Sequence, residues 1–132
     1  MTTTKTNHAL NNAIGHIESM VEDFKKDQIF ENLRDFEAQE QLRESVLNSA
    51  LSVEFRSGWY SSPEDETKAE EFKILLTWGG PALRIIGKLD DYGPIEPKLQ
   101  FQDWGTPWTD FEITEDQQDA LNWFCNCFYF GG

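Results

Sequence analysis

The period of the apolar positions changes once along the chain, and this change predicts the fold class. In residues 1–50 apolar side chains recur every three or four residues, which is typical of amphipathic helices. The first stripe predicts a helix of about 18 residues that Thr6 or Asn7 caps, and it comprises Leu10, Ile14, Ile17, Val21 and Phe24. A stripe this narrow is also a candidate seam for a homodimer through the first helix.

A second helical segment follows, and Asp27 is a suitable N-cap for it. Its apolar residues fall in two patches, within 29–36 and within 42–50, and the polar stretch EAQEQ separates them. The segment is therefore either one bent helix or two short helices.

At Leu51 the apolar period becomes two, because Leu51, Val53 and Phe55 alternate with polar residues as in a half-buried strand. Further strands are predicted at 71–78, 83–89 and 97–103. The turn-forming stretches GGPA and DDYGPIE connect them, which favours an antiparallel meander. Pro97 is expected at a strand start or an edge. Phe111 and Ile113 are candidates for a fifth short strand.

A last helix is predicted from Thr114 and Gln117, which have the spacing of a capping box. Its apolar face would contain Ala120, Leu121, Phe124, Cys127 and Phe128. Helices, then strands, then a helix predict an α+β fold: an antiparallel sheet of four or five strands with two N-terminal helices and one C-terminal helix packed on it. We expect a single domain over residues 1–132, with a helical part (1–50) and a sheet plus C-terminal helix (51–132).

The charge of the chain narrows the classes of partner. The net charge is −13, and such a chain is poorly suited to bind phosphate backbones or anionic lipid, which need Lys and Arg patches. Residues 1–50 hold nine acidic and five basic residues, whereas residues 89–132 hold nine acidic residues against Lys98 alone. The C-terminal third is therefore the acidic part. An acidic surface that serves only solubility is the simplest alternative.

The stretch FQDWGTPWTDFEITEDQQD at 101–119 combines aromatic residues with uncompensated acids. Rigid aromatic side chains can hold carboxylates in a fixed array, and alternate strand residues such as Asp110 and Glu112 would lie about 6.8 Å apart. That spacing is similar to that of phosphates along a nucleic-acid strand. The predicted array contains Asp103, Asp110, Glu112, Glu115, Asp116 and Asp119, with Glu64, Asp65, Glu66, Asp90 and Asp91 as a second patch. Trp104 and Trp108 would be either scaffold or exposed anchors, and Trp59 and Tyr60 are further interface candidates.

No catalytic, metal or cofactor site is predicted. Cys125 and Cys127 are expected to be free, buried thiols, since residues two apart point to different sides of a helix. His8 and His16 lie about 12 Å apart along a helix, too far to share a metal ion. The start of the chain has no apolar signal core and no apolar run approaches a membrane span. We therefore expect a soluble, cytoplasmic protein that neither enters membranes nor binds nucleic acid directly.

Three stretches, RSGWY at 56–60, EEFKILLTWGGPALRIIGKLD at 70–90 and QDWGTPWTDFEI at 102–113, closed by CFYFG at 127–131, resemble a family of small, mostly uncharacterised proteins of phages, plasmids and other mobile elements. The resemblance covers roughly residues 51–131. It implies selection for proteins that disarm host defences, such as anti-CRISPR and antirestriction proteins, in which acidic mimicry of nucleic acid recurs. It carries over no catalytic residue. Arg56 and Arg84 lie inside the motifs and either pair with the acids or contact a partner.

The sequence thus predicts a non-enzymatic inhibitor that occupies the basic DNA- or RNA-binding site of a host defence protein or complex. One alternative is an adaptor module that uses helical and aromatic surfaces instead of acids. The other is a small hydrolase with paired carboxylates. Charge reversal of the acids separates the first two, because only mimicry requires steep salt dependence.

Overall fold

The computed structural model describes residues 4–57, 69–79, 81–90, 92–103 and 105–128. Its element order confirms the predicted α+β fold. The elements are α1 (Thr4–Leu33), α2 (Phe36–Asn48), β1 (Ser52–Ser57), β2 (Ala69–Thr77), β3 (Ala82–Asp90), β4 (Gly93–Gln102), β5 (Thr109–Asp110) and α3 (Glu115–Asn126). The strands form one antiparallel sheet in the order β1-β2-β3-β4-β5, so each strand lies next to its neighbours in sequence.

The boundary between the two N-terminal helices differs from the prediction. Asp27 caps no helix, because α1 continues through it to Leu33, and the buried Asp27 carboxylate instead pairs with Arg43 of α2. The break lies at Arg34, whose φ of 58° is left-handed and stops helical hydrogen bonding. Asp35 then caps α2 by accepting a hydrogen bond from the backbone N–H of Ala38.

The hydrophobic core lies between the helices and one face of the sheet. Alternate residues of β2 and β3, such as Ile74 and Ile85, point into it, and Ile17 of α1 and Leu121 of α3 are completely buried opposite them. Val21 and Phe24, from the predicted dimer seam, also pack against this core. A dimer through α1 stays a prediction, and it would have to use other faces of the helix.

β4 is longer than predicted, and Pro97 is not at its start. Pro97 is buried within β4, where Ile86 pairs with Lys98 but Lys88 pairs with Ile95, so Glu96 and Pro97 form a β-bulge opposite Gly87. A bulge leaves backbone groups outside the ladder, and it therefore tolerates proline inside a sheet. A Cβ at Gly87 would lie 2.7 Å from Cε1 of Phe72, so this position admits no side chain without repacking.

The fifth strand exists but begins two residues earlier than predicted. It covers Thr109–Asp110 and pairs with Phe101 and Gln100 of β4, while Phe111 adds one backbone hydrogen bond to Leu99. α3 begins with the predicted capping box, in which Thr114 and Gln117 each accept from the other's backbone N–H. No helix in the described ranges is long and apolar enough to cross a membrane.

Candidate functional site

The six acids predicted to form one array at 103–119 occupy three different environments. Asp103 is only 7% exposed and lies in a turn that Thr106 closes, because the Asp103 N–H donates to the Thr106 hydroxyl and the hydroxyl donates to the Asp103 carbonyl. The Asp103 side chain is therefore not exposed toward a partner, unlike the other acids of the predicted array. Asp110 lies on the sheet, and Glu112, Glu115, Asp116 and Asp119 are exposed in or just before α3.

Asp110 belongs to a polar network that contains both basic and aromatic residues. Gln100 Nε2 donates to Asp110 Oδ1 at 2.7 Å, and Lys98 Nζ lies 3.9 Å from Asp110 Oδ2. Arg84 Nε donates to Gln100 Oε1 at 2.8 Å. Lys98 thus partly compensates the negative charge of Asp110. β5 ends at Asp110, so Glu112 lies beyond the strand.

Trp108 serves as a platform for Arg84. The guanidinium carbon lies 4.1 Å from the centre of the half-buried indole, which is within the range of a cation–π contact. Burial lowers the pKa of Arg84 from its usual value. Trp108 therefore supports Arg84 on the sheet surface, and one face of its indole is occupied by the guanidinium.

One exposed acid of α3, Asp116, instead lies beside acids of α1. Glu18, Glu22 and Asp116 line one groove of about 460 Å³ between the two helices, together with Gly15, Ser19, Val21 and Gln117. No Lys or Arg belongs to this lining, and every residue in it lies in the described part of the chain. We call Glu18, Glu22, Glu115, Asp116 and Asp119 the acidic helical surface.

Sequence reasoning missed Glu18 and Glu22. Their spacing of four residues puts them on one side of α1, which was a usable signal. Their proximity to Asp116 could not be read from the sequence, because it depends on how α1 and α3 pack over the sheet.

The opposite side of the molecule has a different charge. The helix-free face of the sheet carries five of the eleven Lys and Arg residues of the chain: Arg56, Lys73, Arg84, Lys88 and Lys98. All of them except Arg84 form ion pairs. The pairs are Arg56 with Glu71, Lys73 with Glu54, Lys88 with Glu96, and Lys98 with Asp110. A shallow groove of about 630 Å³ crosses this face. Sequence reasoning also missed this groove, because its charged residues come from alternate positions of four strands.

The three helices together contain eleven acidic and four basic residues, whereas the five strands contain six acidic and five basic residues. Among these elements, the helices therefore have a net charge of −7 and the strands a net charge of −1. Sequence reasoning had assigned the negative charge to the C-terminal third, residues 89–132.

The thiols are free, as predicted, but their environments differ. Cys125 is completely buried and burial raises its pKa, while burial raises the pKa of the half-buried Cys127 to about 11. Neither is a thiolate at neutral pH, which does not favour nucleophilic chemistry. Within the described ranges, no group of three or more His, Cys, Asp or Glu side chains is arranged to hold a metal ion.

Several predicted interface residues cannot be assigned to a surface. Seven of the predicted interface residues lie outside the described residues: Glu64, Asp65, Glu66, Asp91, Trp59, Tyr60 and Trp104. Asp90, of the second predicted patch, is exposed and accepts a hydrogen bond from the Tyr92 N–H in the β3–β4 turn. This hydrogen bond agrees with the turn predicted between the two strands at DDYGPIE.

Comparison of the chain with protein families, with curated proteins and with solved structures found no match.

Proposed function

We propose that this protein is a non-enzymatic inhibitor that binds, through its acidic helical surface, to a basic protein surface that normally holds nucleic acid. The observation that carries the proposal is the convergence of Glu18, Glu22 and Asp116 on one groove without a lining cation. The lining of the groove contains no Lys or Arg side chain that would neutralise these carboxylates, and a basic cleft is the surface that such charge attracts.

The geometry of the helices suits this role. Residues four apart on a helix rise by about 6 Å, and both Glu18 with Glu22 and Glu115 with Asp119 have that spacing. This rise is close to twice the ~3.4 Å between phosphates along one nucleic-acid strand. Both helices pack on one core, through Ile17 and Leu121 among others, so the carboxylates are carried on a rigid base.

The kind of partner follows from the resemblance to proteins of mobile elements. The target would be a nucleic-acid-binding host defence protein or complex, of the CRISPR or restriction type, in the cytoplasm of the host cell. Binding of this kind needs no cofactor and no turnover.

The test is a pull-down from a bacterial lysate with the tagged full-length chain at about 100 and about 500 mM salt, bracketing the screening of exposed charges. Retained proteins are identified by mass spectrometry, and added DNA serves as competitor. The test variant is Glu18→Gln/Glu22→Gln/Asp116→Asn. The matched control, Glu37→Gln/Glu40→Gln/Glu44→Gln, changes the net charge equally but alters exposed acids of α2.

We expect a nucleic-acid-binding protein to be retained at low salt, lost at high salt, displaced by DNA, and lost with the test variant but not with the control. Equal loss with both triple variants would mean that only net charge matters. Retention that ignores salt, DNA and the test variant would overturn the proposal.

A second candidate function is an adaptor that binds through apolar helical surface. The observation that favours it is the corner between α1 and α2, where Ile29, Leu33 and Phe36 are exposed, Leu33 to 71%. In that case Leu33→Ser/Phe36→Ser would abolish retention of the partner at both salt concentrations. The variant Glu18→Gln/Glu22→Gln/Asp116→Asn would retain the partner as the wild type does.

A further inference from the structure

The edge strand β1 has an unusual combination of features. It is the first strand in the sheet order, and no strand in the described ranges pairs with its outer side. Its backbone is regular throughout, because the irregularity in its pairing with β2 places the additional residue, Glu70, in β2. Alternate residues of β1 therefore direct their backbone N–H and C=O groups away from β2. Such an edge is a template for pairing with another strand.

The side chains on the helix-free side of β1 are of opposite charge. Glu54 pairs with Lys73 and Arg56 with Glu71 of β2, yet Glu54 remains 61% and Arg56 77% exposed. Exposed edges are commonly protected by charges that repel a second copy. One charge of each sign does the reverse, since the strand becomes complementary to itself when it runs antiparallel.

We propose that β1 pairs with β1 of a second copy of this chain, with the two Phe55 residues opposite each other at the two-fold axis. This register uses residues 53–57 of both strands and places Glu54 of each copy opposite Arg56 of the other. A register shifted by one residue, centred on Glu54, would put two like charges face to face, which destabilises a strand pair. The result is an isologous dimer with a continuous ten-stranded sheet.

The charge distribution of the molecule permits this contact. The strands are nearly balanced in charge, and within the helices and strands the excess of acidic residues lies on the helices. The proposal is independent of the proposed function and differs from the predicted dimer through α1.

The test measures the oligomeric state of the full-length chain by sedimentation velocity at about 150 mM salt, up to roughly 500 µM, because one short strand pair buries less surface than a standard interface. The variants are Glu54→Arg and Arg56→Glu, each alone and as an equimolar mixture. Glu44→Arg and Lys25→Glu are the controls, since they change the net charge equally at exposed helical positions. Circular dichroism verifies that each variant is folded.

We expect the wild type and both controls to dimerise. Each test variant alone should have a dissociation constant at least about tenfold higher, because the like-charge contact occurs twice across the axis. The mixture should dimerise as the wild type does, since the chain with two arginines then faces the chain with two glutamates. A wild type that stays monomeric, or a mixture no more dimeric than either variant alone, would overturn the proposal.

Discussion

Arg43 and Asp27 form the contact that joins α2 to α1. Arg43 Nε donates to Asp27 Oδ1 at 2.9 Å and its NH2 group donates to Oδ2 at 3.2 Å, while Gln39 donates to the Asp27 carbonyl. The Asp27 side chain is 8% exposed, so removal of the guanidinium leaves a buried charge without its partner. The hydrogen bond to Asp27 also raises the pKa of Arg43.

Arg43→Met should therefore lower the free energy of unfolding by about 2 kcal/mol, the range of hydrogen bonds to a charged group, because half of the Arg43 side chain remains in water. Urea unfolding followed by circular dichroism measures the change. Lys25→Met, at an exposed position of α1, is the control and should be nearly neutral. A loss with Arg43→Met no larger than with this control would contradict the structural role of the pair.

His16 connects stability to pH. Burial lowers its pKa below the ordinary 6.5, so the unfolded chain takes up a proton at a higher pH than the folded chain does. The stability contributed by neutral His16 is complete above pH 6.5 and is lost as the pH falls toward the folded pKa.

The wild type should accordingly lose stability between about pH 7.5 and pH 5.5, a window that spans the ordinary pKa of histidine. His16→Gln, which cannot titrate, should lose less. Urea unfolding at both pH values gives the comparison, and equal losses in the two proteins would show that His16 is not the group responsible.

At the scale of elements, the break between α1 and α2 depends on one residue in a left-handed conformation. Arg34 has a φ of 58°, which is unfavourable for a residue with a Cβ and free of steric cost for glycine. Arg34→Gly should raise the free energy of unfolding by roughly 0.5–1 kcal/mol. Lys26→Gly, within α1, should lower it by about 1 kcal/mol. Thermal unfolding of both variants tests the assignment, which fails if the two shifts have the same sign.

The sheet has a comparable position at Gly87, where a Cβ would lie 2.7 and 2.8 Å from two atoms of the Phe72 ring. Gly87→Ala should cost about 1–3 kcal/mol through overpacking. The double variant Gly87→Ala/Phe72→Leu should cost less than the sum of the two single changes, because the smaller side chain admits the methyl group. Additive losses in a double-mutant cycle would show that the ring does not cause the cost.

At the scale of the whole molecule, repulsion between the acidic residues of the helices should lower the free energy of unfolding at low salt. The helices carry eleven acidic against four basic residues, and folding brings Glu18 and Glu22 of α1 and Asp116 of α3 into one groove. Screening weakens repulsion between exposed charges. The free energy of unfolding should thus rise by about 1 kcal/mol between 20 and 300 mM NaCl, where the Debye length falls well below the size of the domain.

The variant Glu18→Gln/Glu22→Gln/Asp116→Asn should have a smaller salt dependence than the wild type, since it lacks three of the converging carboxylates. Urea titrations at both salt concentrations measure it. A steeper dependence in this variant would mean that the repulsion arises elsewhere.

The amino-acid sequence by itself determined the fold class, the order of the elements and the start of α3. Those features follow from local signals: the apolar period of three to four residues, the period of two from Leu51, and the Thr114–Gln117 capping box. The boundary at Asp27 could not be predicted in the same way. An aspartate suits an N-cap or a buried ion pair equally well until Arg43 is placed beside it.

Only the tertiary structure decided which charges act together. Asp103, adjacent to β4, is buried by its turn, Asp110 is paired across the sheet with Lys98, and Asp116 joins Glu18 and Glu22, about 100 residues away in the chain. Local sequence patterns describe the neighbours of a residue within one or two turns or strand steps. A charged surface is assembled from several elements by packing, and its composition is therefore a property of the folded chain.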